Sequence, residues 1–392
     1  MKLQFTPLDY AVITVGLVYS TSATVTPVCL LSMAKELNFS LSASGGIEGI
    51  RSFLLFISMF FGGFIAAKIG KVRSLSGGLF ALSFSYAAYA FAPSYIAVLG
   101  ASLILGASAG ILEGLANPLI QDAHPNDSGR YLNITNAFWS VGVLSTVLIS
   151  GELLTRSISW RLIMGFLSLF SLAAAIFLAT LRKYEVHTRT LSPDKVIRRY
   201  VDCLRSKRFW VFCFMMLLAG GAEGAFTFWS ASYIQIHFAA LPRMGGIGTA
   251  CFAAGMLGMR VASGIFVPQH KLRKAIFLSA VFGVIIASII PFIHSEKFFF
   301  PLLFLAGISI ACFWPSIQSY SITKMSYLDS TAAFILSACA GIAGFGLVPF
   351  IMGIIGDAAG LEKSFLCVPV LLAVLALSVF FERTNGKFKT SV

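Results

Sequence analysis

Charged side chains are scarce in this chain of 392 residues. Asp, Glu, Lys and Arg make up 11% of the sequence, whereas apolar residues make up 57%. In a soluble domain about a quarter of the residues are charged, because they cover a surface that faces water. The composition excludes a soluble globular protein and predicts an integral membrane protein, since each spanning helix needs about 20 apolar residues.

Motifs for metal binding, nucleotide binding and catalysis are also missing. The seven cysteines lie apart in apolar runs, without a Cys-x-x-Cys pair and without histidines at ligand spacing, so we expect neither disulfides nor a metal site. No phosphate-binding loop is present, which excludes transport driven by ATP within this chain. No His-Glu-x-x-His motif indicates a membrane enzyme. We therefore expect no cofactor and no enzymatic activity.

Twelve apolar runs are long enough to cross a bilayer. Their predicted limits are 9–33, 46–68, 74–93, 95–120, 130–154, 160–181, 208–236, 244–268, 273–294, 298–322, 328–356 and 361–381. The one long polar interruption lies between the sixth and seventh runs. We predict an all-α membrane protein with a six-helix bundle at 1–181, a basic linker at 182–207, a second six-helix bundle at 208–381 and a tail at 382–392.

The net charge of +13 is concentrated in alternate loops. Basic residues cluster after span two, in the central linker, after span eight and in the tail, whereas the loops between them are nearly free of charge. By the positive-inside rule, both termini and the linker are cytoplasmic. The charge is thus a signal of topology rather than of nucleic-acid binding. Compact loops favour the bacterial inner (plasma) membrane, with the lipid bilayer as the surroundings of the protein. We expect a monomer.

An internal repeat divides the chain into two halves. Span four contains a Gly-Ile pair followed by a proline, from Gly110 to Pro118, and span ten contains the same spacing from Gly307 to Pro315. The two segments are 197 positions apart, and the glycine-rich turns after spans two and eight are 201 positions apart. Nearly equal offsets at corresponding places predict two pseudo-symmetric bundles.

The turn after span two carries the basic and glycine residues of a conformational motif: Gly63, Lys68, Gly70, Lys71 and Arg73. With twelve spans in two halves, this turn resembles the signature of the major facilitator superfamily, which reads Gly-x-Leu-Ala-Asp-Arg-x-Gly-Arg-Arg/Lys. Ala67 stands where the family has Asp. The resemblance implies a secondary transporter that works by alternating access. We group Arg260 of span eight with this motif and expect it to contact backbone carbonyls or to extend to the cytoplasmic face.

Within the superfamily, the segment Glu113-Gly-Leu-Ala-Asn117-Pro118 resembles the Glu-x-x-x-Asn-Pro segment of the fucose–galactose–glucose permease branch. The opening of span five, from Asn133 through Asn136 to Trp139, is similar to the Asn-rich opening in the same branch. This resemblance implies proton-coupled transport of a sugar. This branch often has an acidic residue in span one, near the position that Thr26 occupies here. Because that acidic residue is missing, uniport remains an alternative.

Two carboxylates inside predicted spans need an explanation, since a charge at the membrane centre costs about 2.5–3.5 kcal/mol. Glu113 shares a helical stripe with Asn117 and Gln121, which favours a water-filled cavity and a role in proton coupling. Glu223 lies among small residues of span seven and is the second candidate for proton coupling. The alternative for both is a buried hydrogen bond between helices. Glu48 and Arg51 are three residues apart and are expected to neutralise each other.

Hydroxyls, amides and aromatic faces deep in the spans favour a neutral polar solute. The candidate contacts are Ser22, Thr26, Glu113, Asn117, Asn136, Trp139, Thr227, Trp229, Trp314 and Gln318. No Lys or Arg is expected beside this site, so an anionic solute has no evident partner. We predict a secondary transporter of a sugar or related small molecule, coupled to protons. The alternatives are a proton-coupled exporter of lipophilic or amphipathic compounds and a non-transporting sensor or lipid-handling protein.

Overall fold

The computed structural model describes residues 5–123, 128–184, 193–267, 269–325 and 327–382, and it contains helices without any strand in these ranges. The first half comprises α1 (Pro7–Leu37), α2 (Leu41–Ile69), α3 (Lys71–Ala90), α4 (Tyr95–Ala123), α5 (Ser128–Thr155) and α6 (Trp160–Thr180). A short helix, α7 (Pro193–Arg205), lies in the linker. The second half comprises α8 (Lys207–His237), α9 (Pro242–Phe266), α10 (Leu272–Ile289), α11 (Glu296–Ile310), α12 (Phe313–Lys324), α13 (Ser330–Ala359), α14 (Leu361–Ser364) and α15 (Cys367–Phe381).

These helices form the expected twelve spans of a multi-pass membrane protein. α11 and α12 together make one span with a break after Ile310, and α14 continues into α15 to make the last span. In the described residues, eleven spans are long and apolar enough to cross a membrane by themselves. The other span is α3, which begins with basic residues and is rich in serine. Ser76 and Ser83 of α3 donate to the carbonyls of Ala175 and Ser168 on α6, so these polar groups are satisfied inside the first half.

Glycine contacts reproduce the sequence repeat in three dimensions. A Cβ atom added to Gly110 of α4 would lie 2.3 Å from the carbonyl oxygen of Leu55 on α2. A Cβ atom added to Gly307 of α11 would lie 2.1 Å from the carbonyl oxygen of Phe252 on α9. The two glycines and the two carbonyls are each 197 positions apart. The same backbone crossing therefore occurs once in each half, and only glycine allows it.

The turn between α2 and α3 depends on a glycine. Gly70 has φ 95°, a region that other residues rarely adopt, and its N–H donates to the Ala66 carbonyl at 2.8 Å. Lys71 follows, and its Nζ lies 3.4 Å from the Pro118 carbonyl oxygen on α4. Gly63, Lys68 and Arg73 are exposed. The motif thus joins the ends of three helices at one face of the bundle, which we call the basic face: the end at which α2 finishes and α3, α8 and α10 begin.

The two halves pack against each other mainly through α2 with α13 and α5 with α9. Asp357 near the end of α13 accepts hydrogen bonds from the backbone N–H groups of Leu41 and Ser42, each at 2.8 Å, at the start of α2. Thr155 at the end of α5 accepts a hydrogen bond of 2.8 Å from the N–H of Arg243 at the start of α9. Both contacts lie at the face opposite the basic face, where each half caps a helix N-terminus of the other half.

Candidate functional site

Two cavities open in the middle of the bundle and share one wall. The first, which we call the Glu113 cavity, lies within the first half; it is lined by Val12, Val15, Gly16, Tyr19, Leu112, Glu113, Ala116, Asn117, Thr135 and Trp139. The second, the Arg260 cavity, lies between the halves; it is lined by Thr24, Trp139, Ser140, Val143, Glu223, Thr227, Thr249, Phe252, Ala253, Met256, Leu257 and Arg260. Trp139 of α5 belongs to both.

The Glu113 cavity joins a carboxylate to neutral polar groups. Glu113 and Asn117 are one turn apart on α4, so both side chains reach the same cavity, as the helical stripe predicts. The hydroxyl of Tyr19 on α1 donates a hydrogen bond to the Glu113 carboxylate. Thr135 of α5 adds a buried hydroxyl. Gln121, the third member of the predicted stripe, has a side chain outside the described part of the chain.

The Arg260 cavity contains an ion pair. Nη2 of Arg260 on α9 lies 3.2 Å from Oε1 of Glu223 on α8, and Nε of the same arginine lies 3.4 Å from the Ala311 carbonyl oxygen. Ala311 is at the break between α11 and α12, where this carbonyl has left the regular helical pattern. The arginine thus connects three segments of the second half at the cavity wall.

The position of Arg260 corrects one sequence-based expectation. Arg260 contacts a backbone carbonyl, as expected, but the expectation that no Lys or Arg lies beside the site is wrong, because this side chain lines the cavity. Side chains in a helix point toward its N-terminus. α9 runs toward the basic face, so the side chain of Arg260 turns back into the membrane rather than out of it. Arg260 also attracts Glu113 electrostatically from the other half of the protein.

Small residues on α8 serve packing, and they leave Glu223 free to face the cavity. A Cβ atom added to Gly220 would lie 2.0 Å from the Gly341 carbonyl oxygen, and one added to Gly224 would lie 2.6 Å from the Phe345 carbonyl oxygen. These glycines let α13 approach one side of α8 closely. Glu223 and Thr227 lie on another side, one turn apart, and both line the Arg260 cavity.

Trp229 and Gln318, predicted as substrate contacts, are buried side chains that donate hydrogen bonds to α13. Trp229 is fully buried, and its indole Nε1 donates to the Pro349 carbonyl oxygen on α13 at 3.0 Å. Gln318 is buried on α12, and its amide donates to the Phe334 carbonyl oxygen at 3.3 Å. Neither residue lines either cavity. Both donate to a backbone carbonyl of α13.

Three more predicted contacts lie outside the two cavities. Ser22 is buried and donates to the Tyr19 carbonyl of its own helix at 2.7 Å, and Thr26 is buried farther along α1. Trp314 of α12 is half-buried and packs against a small apolar cluster that includes Leu55 of α2 and Ile342 of α13. It lies where the halves meet, but not in a cavity wall. The side chain of Asn136, a further predicted contact, lies outside the described residues.

Sequence reasoning missed four hydroxyl residues of the cavity walls. Thr24, Thr249 and Ser140 line the Arg260 cavity, and Thr135 lines the Glu113 cavity. The three threonines are buried. Thr24 belongs to the hydroxyl-rich run of α1, which could have indicated it. Ser22 and Thr26, the contacts predicted in this run, lie on a different side of the helix. Thr135 and Ser140 flank Trp139 in sequence. Thr249 lies among small apolar residues and has no sequence signal.

The expected pair on α2 is present. Glu48 and Arg51 form an ion pair, both are buried, and Ser52 donates to the Glu48 carboxylate at 3.0 Å. The pair lies outside both cavities. Its two charges neutralise each other within one helix, which lowers the cost of burying them.

Comparisons with known proteins agree with the architecture. The sequence model of the Major Facilitator Superfamily matches residues 11–345. The membrane protein MosC of Rhizobium meliloti is 24% identical over 301 residues, which cover 74% of this chain and 70% of MosC.

Solved structures with the same fold include three transporters. A bacterial homologue of the human lysosomal transporter Spinster, in an inward-facing and occupied conformation, has a TM-score of 0.80 at 16% identity, covering 96% of this chain and 97% of its own. The nucleoside transporter NupG has a TM-score of 0.74 at 15% identity, covering 95% and 97%. A D-xylose–proton symporter has a TM-score of 0.74 at 13% identity, covering 96% and 97%.

Proposed function

The chain belongs to the major facilitator superfamily, and from that premise we propose that it is a secondary transporter that moves a small polar solute across the membrane by alternating access, coupled to protons. The solute class that we favour is a sugar or a related polyhydroxylated metabolite, in line with the resemblance to the fucose–galactose–glucose permease branch. The observation that carries the proposal is the pair of central cavities that share Trp139 and have polar groups on both sides.

The cavity walls support a polyhydroxylated solute. Thr24, Ser140, Thr227 and Thr249 provide hydroxyls on one side of Trp139, and Asn117 provides an amide on the other. Hydroxyls and amides both donate and accept hydrogen bonds and can hold the hydroxyls of a sugar, while an indole face covers its C–H surface. The charge of Arg260 is balanced by Glu223, so the wall between the halves does not require an anionic solute.

Glu113 is the carboxylate that we assign to proton coupling. Among the described residues, the hydrogen bond that we identify for Glu113 comes from the neutral hydroxyl of Tyr19, whereas Glu223 is held by Arg260. A carboxylate without a bound cation, placed in a cavity, can exist in either protonation state at moderate cost. Protonated Glu113 does not attract Arg260. Deprotonated Glu113 does, and this attraction acts between the two halves, which must move relative to each other during transport.

We also propose the orientation and the membrane. The basic face, which carries Lys68, Lys71, α7 and Arg273, is cytoplasmic under the positive-inside rule. Both termini then lie in the cytoplasm of a bacterial cell, with the protein in its inner membrane. A protease or a membrane-impermeant lysine reagent applied from each side of sealed vesicles tests this orientation, and labelling of Lys68 from the external side contradicts it.

Proteoliposomes loaded with a pH-sensitive dye test the function. A panel of neutral sugars and nucleosides is added outside, and lumen acidification on adding one solute is the result expected for symport. Glu113→Gln is expected to abolish the acidification but to retain solute exchange measured by isotope counterflow. Glu296→Gln, which removes a carboxylate at the start of α11 outside both cavities, is the matched control and should behave as the unaltered protein. Counterflow without acidification in the unaltered protein would contradict proton coupling and leave uniport.

An exporter of amphipathic compounds is the second candidate, and the apolar part of the Arg260 cavity favours it. Phe252, Met256 and Leu257 line this cavity together with the hydroxyls. This function predicts that amphipathic compounds, and not sugars, move protons in the same vesicles. It also predicts that Phe252→Ala weakens transport more than Thr227→Val does, whereas the reverse order supports the polar solute.

A further inference from the structure

The linker contains a helix with two different sides. α7 lies between α6 and α8 in the chain, and only Ser206 separates it from the start of α8, so it lies at the basic face. The sequence predicted a basic linker over 182–207. The helix has one side turned to the bundle and one side turned away from it, and the two sides differ in their contacts.

The inner side of α7 connects the two halves. The ring of Tyr200 lies 5.3 Å from the ring of Phe60 on α2, centroid to centroid. Nη1 of Arg199 lies 2.9 Å from Oδ2 of Asp329, the residue that caps the start of α13. Cys203 is fully buried, and burial raises the pKa of its thiol. α7 therefore bridges the first half at α2 and the second half at α13, the two helices that also meet at the opposite face.

The outer side of α7 exposes apolar residues in a row. Ile197, Val201 and Leu204 are spaced by four and three residues, which places them on one side of a helix. They are exposed by 51%, 36% and 42%. Nothing in the described chain covers this row. The rest of this short helix is rich in charged residues. A row of apolar side chains that faced water would be unusual in such a helix.

Basic and aromatic residues flank this row. Arg198 and Arg205 are exposed, one near each end of the apolar row. Arg199, in contrast, forms an ion pair with Asp329. Trp210 of α8 is 55% exposed, and its indole Nε1 donates to the Leu204 carbonyl oxygen at 2.9 Å. Tryptophan is enriched where the hydrocarbon meets the headgroups of a bilayer. The contact with Leu204 places the end of α7 at that depth.

We propose that the outer side of α7 is a binding site for anionic phospholipids of the surrounding bilayer. Ile197, Val201 and Leu204 enter the boundary between headgroups and acyl chains, and Arg198 and Arg205 bind the phosphate groups of anionic lipids. The charge complementarity and the depth given by Trp210 favour a lipid surface over a soluble protein partner. Because the inner side bridges α2 and α13, bound lipid holds the linker across the line where the halves separate at the basic face.

Hydrogen exchange of the full chain in nanodiscs tests this proposal without knowledge of the transported solute. The exchange of the α7 amides is compared in nanodiscs of phosphatidylcholine and of phosphatidylcholine mixed with phosphatidylglycerol. We expect slower exchange in the anionic nanodiscs. The double substitution Arg198→Gln with Arg205→Gln should remove this difference and weaken retention of phosphatidylglycerol, measured by native mass spectrometry, by roughly fivefold for each charge removed.

A control double variant distinguishes a lipid site on α7 from a general attraction of anionic lipids to the basic face. Lys271→Gln with Lys274→Gln removes the same charge from exposed positions at the basic face, away from the apolar row, and should keep the lipid effect. The proposal is overturned if both double variants lose the lipid effect equally. It is also overturned if the α7 amides of the unaltered protein exchange at the same rate in both kinds of nanodisc. Raising the salt concentration gives the same test in the unaltered protein, because the effect must shrink as charges are screened. An effect that persists unchanged at high salt also overturns it.

Discussion

At the scale of single residues, the ion pair between Arg260 and Glu223 joins α9 to α8 in the wall between the halves. It places a positive charge within reach of Glu113 while cancelling it locally. Under the proposed proton coupling, a proton on Glu113 changes the attraction between the halves, whereas Arg260 and Glu223 stay paired. The pair is therefore expected to matter for folding as well as for transport.

Removing either partner of this pair should destabilise the protein more than removing both. Arg260→Gln leaves Glu223 unpaired, and Glu223→Gln leaves Arg260 unpaired. Breaking a buried pair from one side costs about 3–5 kcal/mol, and we expect a smaller loss here because both groups are partly exposed. Thermal unfolding of the purified protein in detergent checks this prediction. The double variant should recover much of the lost melting temperature, and additive losses in the double variant contradict a direct pair.

Single residues also show where sequence reasoning succeeds and where it stops. Glu113 and Asn117 could be placed in one cavity, because residues four apart on a helix share a side whatever surrounds it. Trp139 and Trp229 could not be separated, since both lie deep in spans with polar neighbours. α8 packs against several other helices. The residue types along α8 therefore do not show which of its sides faces the cavity. Only packing against α13 determines that Trp229 is buried.

At the scale of elements, the spans follow from length and apolar composition, whereas the interruptions do not. At the break between α11 and α12, Pro315 has no N–H to donate to the Ala311 carbonyl four residues earlier, and Arg260 contacts this carbonyl instead. Helix α7 contacts α13 through the ion pair between Arg199 and Asp329. A hydropathy pattern contains no information on either contact. The turn between α2 and α3 is different, because a glycine in a recognisable motif indicates the backbone conformation directly.

The turn between α2 and α3 predicts a clear difference between two glycines of the same motif. Gly70 has φ 95°, so Gly70→Ala forces a side chain into a conformation with a strain on the order of 1–3 kcal/mol. Gly63 is in the regular part of α2, and a Cβ atom there meets nothing within 4 Å. Gly63→Ala should be neutral or slightly stabilising, because alanine favours a helix. Melting temperatures of the two variants check this, and equal effects contradict it.

At the scale of the whole molecule, two helix-capping contacts close the face opposite the basic face. Asp357 caps α2 across one interface and Thr155 caps α9 across the other. Leu41 and Pro242 are 201 positions apart, like the two predicted turns, so the contacts are related by the internal repeat. If the halves move as rigid bodies, neither interface can open without the other, because both lie along the same line of separation.

This coupling predicts a response at a distance. Asp357→Asn weakens the capping of α2, and a lost cap costs about 0.5–2 kcal/mol, so the amides of Leu41 and Ser42 should exchange hydrogen several-fold faster. The amide of Arg243, which Asp357 does not bind, should also exchange faster, since opening of one interface exposes both. Thr155→Val should produce the reciprocal effect at Leu41 and Ser42. Glu296→Gln, a loss of a carboxylate at the same face, is the control. Faster exchange confined to the start of α2 would mean that the two interfaces open separately, and rigid-body movement of the halves would then be wrong for this protein.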